Sequence, residues 1–164
     1  PPAASPTEAA MEADFPRPDL FRHCRRLALA GLLAWAGAAL AAGVAVNLSG
    51  TQEVPPNSSP GKGSGQITVA PDGAVSGSIT VSGMTPTVAH IHDGASGQNG
   101  PVIVKLDKTE GGFAVPAGTR LNEAQLARFN AGATYINVQS EAFPPGEIRG
   151  QLTPAPARPA TPGY

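Results

Sequence analysis

The chain has 164 residues, with 11 Lys and Arg against 12 Asp and Glu and a formal net charge of −1. That length leaves room for one domain plus tails, and the balanced charge offers none of the basic surface that nucleic acid demands. Cys24 is the single cysteine, which excludes an intramolecular disulfide and a cysteine-built metal cluster.

Residues 1–26 open with PPAASPTEAA, Pro- and Ala-rich with little to bury, and read as a flexible cytoplasmic segment. They end on the basic cluster Arg22, His23, Arg25 and Arg26. Residues 27–46, LALAGLLAWAGAALAAGVAV, then run for twenty positions without a charge. As a helix such a run spans about 30 Å, the hydrocarbon thickness of a bilayer. It predicts one transmembrane helix, an uncleaved signal anchor.

A removed secretory signal is the alternative, supported by the basic flank and the A-x-A site Ala39-Leu40-Ala41. Against it stand the length of the preceding segment, its acidic Glu8, Glu12, Asp14 and Asp19, and the continuation of the apolar run through Val46. Arginines stay on the cytoplasmic side. The expected placement is therefore single-pass in a bacterial inner membrane, N-terminus inside and C-terminal domain periplasmic. Ala30, Ala34, Ala38 and Ala42 form a small-residue stripe that lets a second helix approach, with Trp35 mid-span. The stripe points to integral-membrane partner subunits within the lipid bilayer.

From Val44 onward short alternating or β-branched runs recur between turn signals, and the β domain proper is placed at 47–152. Val44–Ser49 is the first run. Gly65–Val69 and Val75–Val81 read as a hairpin about Pro71-Asp72-Gly73, because Pro presets one turn torsion and Gly accepts a positive one. Val88–His92, Val102–Leu106, Thr134–Val138 and Glu147–Leu152 complete the set. Asn122 and Gln125 have capping-box spacing for one short helix, which Gly132 stops. Leu121, Leu126 and Phe129 would dock that helix on the sheet. The expected fold is all-β: an antiparallel, Greek-key-like sandwich or barrel with one short helix, preceded by the transmembrane helix. Residues 153–164 form a Pro/Ala-rich tail.

Four motifs in order, His90-Ile91-His92-Asp93-Gly94, Gly100-Pro101-Val102-Ile103-Val104, Tyr135-Ile136-Asn137-Val138 and Gly146-Glu147-Ile148-Arg149-Gly150-Gln151-Leu152, resemble the signatures of the CHRD domain. Asn47-Leu48-Ser49-Gly50 and Glu53-Val54-Pro55-Pro56 are similar to its usual opening. The resemblance covers about 44 to 152 and implies an all-β extracytoplasmic module without implying a firm activity.

His90 and His92 are the candidate metal ligands, since residues two apart on a strand project to one face. Two ligands are too few for a closed zinc site. Bacterial members of the resembled family commonly carry a histidine after Tyr-x-Asn-Val, where this chain has Gln139; Asp93 and Glu141 are the possible substitutes. Glu147 and Arg149, also two apart, are expected to form a surface ion pair. No nucleophile or acid–base pair stands out, so no catalytic residue and no cofactor are expected. The functional expectation is a non-catalytic accessory or structural subunit of a larger membrane complex, its periplasmic domain clamping neighbouring subunits. Respiratory and photosynthetic assemblies are the setting by analogy. The alternative is a periplasmic copper- or zinc-binding protein using His90 and His92.

Overall fold

In the computed structural model the described residues are 42–155. They form nine strands: β1 (Ala42–Ser49), β2 (Lys62–Val69), β3 (Val75–Ser82), β4 (Pro86–Asp93), β5 (Val102–Lys105), β6 (Asp107–Thr109), β7 (Gly112–Ala114), β8 (Thr134–Ser140) and β9 (Ile148–Leu152). A 3-10 turn covers Gly50–Gln52, and one helix, α1, covers Glu123–Asn130. The strands make a single sheet in the order β5-β4-β8-β9-β1-β2-β3-β7-β6, and every pairing is antiparallel.

The two ends of that order belong to one stretch of chain. β5 pairs with β4 and β6 pairs with β7, while Leu106 between them donates its N–H to the Ala89 carbonyl at 2.9 Å. The sheet thereby curls into a nearly closed, barrel-like form, which leaves few unpaired edges. Of the two expected architectures, sandwich and barrel, the single curled sheet corresponds to the second.

Alternation builds the interior. Val44, Val46 and Leu48 of β1, Ile67 and Val69 of β2, and Val75 and Ile79 of β3 point inward. They meet Ala89, Ile91, Ile136, Val138, Ile148 and Leu152 from the other side of the barrel. The β2–β3 hairpin pairs in full register from Lys62↔Ser82 to Val69↔Val75 and turns at Gly73, whose φ is +83°. Asn122 accepts from the Gln125 N–H at 2.9 Å and the Gln125 side chain accepts from the Asn122 N–H, so the expected capping box is formed. The Leu121 N–H donates to the Gly73 carbonyl at 2.9 Å, which sets α1 by the β2–β3 turn with Leu121 and Phe129 in the core. β6 and β7 are additions to the expected strands; at three residues each they are too short to show a period.

The apolar run needs a correction at its end. Residues 42–46, assigned to the transmembrane helix, are the first half of β1, and Ala42 lies opposite Val69. Val44 and Val46 are committed to the barrel interior, so these residues cannot also lie in a bilayer. The β domain thus starts at Ala42 and not at residue 47. The other helix-packing positions, Ala30, Ala34, Trp35 and Ala38, lie outside the described residues, as do 1–26 and the end of the tail. Among the described residues no helix is long and apolar enough to cross a membrane.

Ile136, on β8 between β4 and β9, is fully buried in the core. Ile136→Ala is expected to lower the stability of residues 42–155 by about 2–5 kcal/mol, measured by urea unfolding.

Candidate functional site

In a one-layer barrel the outward side chains should meet water. β2 and β3 obey this alternation, but on β8 nearly every residue from Thr134 to Ser140 is buried. Its outward residues Tyr135 and Asn137 are 3% and 4% exposed, and outward Arg149 on β9 is 1% exposed. Three loops cover them: 50–61, 94–101 and 141–147.

Arg149 fastens the second of these loops. Its guanidinium donates to Asn99 Oδ1 at 3.2 Å, to the Ala95 carbonyl at 3.1 Å and to Gln151 Oε1 at 3.2 Å. It also lies 3.4 Å from the centre of the Tyr135 ring, a cation–π contact taken out of water. Gln151 extends the net, donating to the carbonyls of Gly94 and Gly132, each at 2.9 Å. The first loop is held at Asn57 Nδ2, which donates to the Glu147 carbonyl at 3.0 Å, and at Ser59, whose hydroxyl donates to Glu147 Oε1 at 2.5 Å. Asn99 Nδ2 joins the two loops by donating to the Val54 carbonyl at 2.8 Å. The expected Glu147–Arg149 surface pair is therefore not formed: both residues are buried, and each serves a different loop.

His90 and His92 do share the outward face of β4, where they flank inward Ile91. Their ring centroids are 5.7 Å apart, edge to face. The His92 ring stacks on Tyr135 at 4.9 Å, and its Nδ1 is 2.9 Å from the Gly100 carbonyl. A carbonyl only accepts, so Nδ1 carries the proton and Nε2 carries the lone pair. That Nε2 is buried without a partner, as are His90 Nδ1 and Asn137 Oδ1. Burial lowers the pKa of His92, the Gly100 bond opposes this, and Arg149 lowers it further; for His90, burial acts together with His92 and Lys105. Both shifts favour the neutral imidazole.

The suggested substitute ligands are elsewhere. Asp93 is paired with Arg128 at 2.7 Å, and Glu141 is exposed. Among the described residues no three His, Cys, Asp or Glu side chains gather as a metal-binding group.

Sequence reasoning passed over Glu53, Tyr135 and Asn137 as site residues. Asn137 Nδ2 donates to Glu53 Oε1 at 2.9 Å and leans on the Pro145 carbonyl at 3.4 Å. Both partners are acceptors, so the amide cannot be turned over, and Oδ1 stays unpaired. Gly146 permits this approach: a Cβ there would collide with Asn137 Nδ2 and stand 2.7 Å from Glu53 Oε1. Burial raises the Glu53 carboxyl to about 6, against opposing pulls from Arg149 and from hydrogen bonds of Val54 and Asn137. Glu53, His92, Tyr135 and Asn137 line one cleft of about 440 Å³, walled by Val54, Pro55, Pro56, Phe143 and Pro145. A polar signal existed, since Tyr-x-Asn on a strand puts both side chains on one face, but only the loops reveal that this face is covered.

The fold and site define a small β module: a nearly closed antiparallel barrel with a loop-covered cleft on its outer side. The sequence model of the CHRD domain family matches residues 44–152, and the chain belongs to that family. Comparison with curated proteins and with solved structures gives no significant match.

Because burial raises the Glu53 carboxyl from its ordinary 4.5 to about 6, the folded state holds its proton more tightly. The corresponding stability is fully present below about 4.5 and is lost as pH rises through about 6. Glu53→Gln keeps an acceptor for Asn137 and removes the charge. It is expected to flatten that part of the pH–stability profile and to raise stability at about pH 7.5 by on the order of 1–2 kcal/mol, read by thermal melts.

Proposed function

We propose that this chain is an exported, non-catalytic binding protein whose ligand is held in the cleft over β4, β8 and β9. One observation carries this reading: Asn137 Oδ1 and His92 Nε2 are buried, without partners, in a cleft otherwise rigidly tied by hydrogen bonds. A buried polar atom left unpaired costs on the order of 1–3 kcal/mol, and such costs concentrate where a ligand supplies the missing partner.

The start of β1 supports export by a cleaved signal over a retained anchor. With residues 42–46 in the barrel, the apolar run outside it shrinks to 27–41, fifteen residues. As a helix that is about 22 Å, short of a bilayer core and within the range of a secretory h-region. Cleavage after Ala39-Leu40-Ala41 would leave Ala42, the first residue of β1, as the mature N-terminus. Produced in a bacterial host with its full N-terminal segment, the protein is expected outside the cytoplasmic membrane with an intact mass starting at Ala42. A full-length chain recovered in the membrane with stoichiometric integral-membrane partners would instead establish the anchored subunit of a larger complex.

A copper or zinc site at His90 and His92 is the second reading. His92 favours it, because a metal-binding imidazole commonly donates its other N–H to a backbone carbonyl, as Nδ1 does here to Gly100. If this reading holds, residues 42–155 bind Cu²⁺ or Zn²⁺ at micromolar affinity or better in calorimetric titration, and His90→Ala and His92→Ala each abolish it. Unchanged affinity in both variants would remove these ligands.

A further inference from the structure

Of the asparagines in the chain, only Asn99 is followed by glycine. Asparagine is at its most reactive there, because glycine puts no side chain in the way when its backbone nitrogen approaches the asparagine amide carbon. Asn99 is also exposed, so water and hydroxide reach it. The same two residues fasten the covered face. Asn99 Nδ2 donates to the Val54 carbonyl at 2.8 Å, and its Oδ1 accepts from Arg149 at 3.2 Å. The Gly100 N–H donates to Tyr135 Oη at 3.2 Å, and the Gly100 carbonyl accepts from His92 Nδ1 at 2.9 Å.

From this coincidence of a reactive pair with the junction of two loops we infer that Asn99-Gly100 is a site of spontaneous deamidation. The hydrogen bonds of the junction hold the reaction back, and its product releases the Val54 wall of the cleft. In the first step the Gly100 nitrogen, having lost its proton to hydroxide, bonds to Asn99 Cγ. The Cγ–Nδ2 bond breaks, and the side-chain nitrogen leaves as ammonia with a proton from water. Water then opens the cyclic imide at either carbonyl, giving an aspartyl or an isoaspartyl residue. The balance is asparagine and water in, aspartate and ammonia out. The folded chain opposes the first step at both reacting groups. The proton that Gly100 must lose is bound to Tyr135, and the amide that must swing towards it is pinned by Val54 and Arg149.

Either product alters the junction. An aspartyl carboxylate keeps Arg149 as a partner but faces the Val54 carbonyl as acceptor against acceptor. Val54, Pro55 and Pro56 thereby lose their tie to the 94–101 loop, while Asn57 and Ser59 keep theirs to Glu147. An isoaspartyl residue adds a methylene to a backbone without slack. A Cβ on Gly100 would collide with the Asp93 carbonyl oxygen, and the Asp93 N–H bonds the Pro101 carbonyl at 2.9 Å. The added length pulls Gly100 away from His92 and Tyr135. None of this depends on a ligand in the cleft.

The test incubates residues 42–155, which contain the whole described core, at mildly alkaline pH and maps the aspartyl and isoaspartyl products. The comparisons are the same chain in denaturing urea, the isolated peptide of residues 96–102, and Tyr135→Phe. That variant keeps the ring against Arg149 and His92 but removes the Oη acceptor. Slow, measurable conversion of Asn99 is expected in the folded chain, with conversion about tenfold faster or more in urea and in the peptide. Tyr135→Phe should accelerate it about threefold or more. Mapping separates these products from isomerisation at Asp72-Gly73 and Asp93-Gly94, which leaves the mass unchanged. Asn99→Asp supplies the aspartyl product directly. It should speed hydrogen exchange at Glu53 and Val54 about threefold or more, with β2 unaffected.

Conversion as fast in the folded chain as in urea, or unaltered by Tyr135→Phe, would overturn the inference. So would a folded chain and a Tyr135→Phe variant that both stay unmodified after the peptide has converted. Unchanged exchange in Asn99→Asp would overturn the release of the Val54 wall. Should Tyr135→Phe fail to fold, the ratio of folded to urea rates decides the matter by itself.

Discussion

Taking the Arg149 guanidinium out of water costs several kcal/mol, and the arrangement of the outer face follows from how that charge is accommodated. It rests on the Tyr135 ring and bonds Asn99, Ala95 and Gln151, three groups that belong to or adjoin the 94–101 loop. The loop is therefore drawn across β8 and β9. Once there, it presents the Gly100 carbonyl to His92 and the Asn99 amide to the 50–61 segment. One buried cation thus sets the tautomer of a histidine on another strand and the position of a second loop. A lysine could not do this, since its ammonium has neither the planar face for Tyr135 nor the fork of donors.

The covered face has an unusual polar chemistry. The Arg149, Gln151, Asn57 and Asn99 donors are spent on holding loops, whereas acceptors at His92 and Asn137 are left without partners. That surplus works against stability, because burial raises the Glu53 carboxyl to about 6. A β module selected for stability alone would place apolar groups at these positions. Under the binding reading proposed above, a ligand would offset that polar cost.

The same outer face separates two uses of β-structure within one small barrel. Over β2 and β3 the outward residues are Ser, Thr, Gln and Lys, and over β1 they are Gly43, Ala45, Asn47 and Ser49; most are in contact with water, and no loop layer lies over them like that over β8. Over β4, β8 and β9 the sheet has a second, polar layer. Membership of the CHRD family is consistent with this division, since the His90–Gly94, Gly100–Val104, Tyr135–Val138 and Gly146–Leu152 motifs all bear on the covered side.

Much of the barrel was legible locally. Alternation and β-branched runs placed seven of its strands, the Pro71-Asp72-Gly73 turn set one hairpin, and Asn122 with Gln125 marked the helix start, because each depends on near neighbours. The i, i+2 spacing likewise put His90 and His92 on one face. Long-range decisions were not legible. An apolar stretch satisfies a bilayer and a barrel interior equally well, so hydrophobicity alone ran the membrane segment on to Val46, and only the pairing of β1 with β2 divided it at Ala42. Glu147 and Arg149 alternate like a solvated pair, and only the loops brought over them made both buried and parted them. The local pattern determined which side chains face out; tertiary structure alone decided which of those outward faces is covered, because coverage is fixed by contacts between residues 45 to 90 positions apart in the chain.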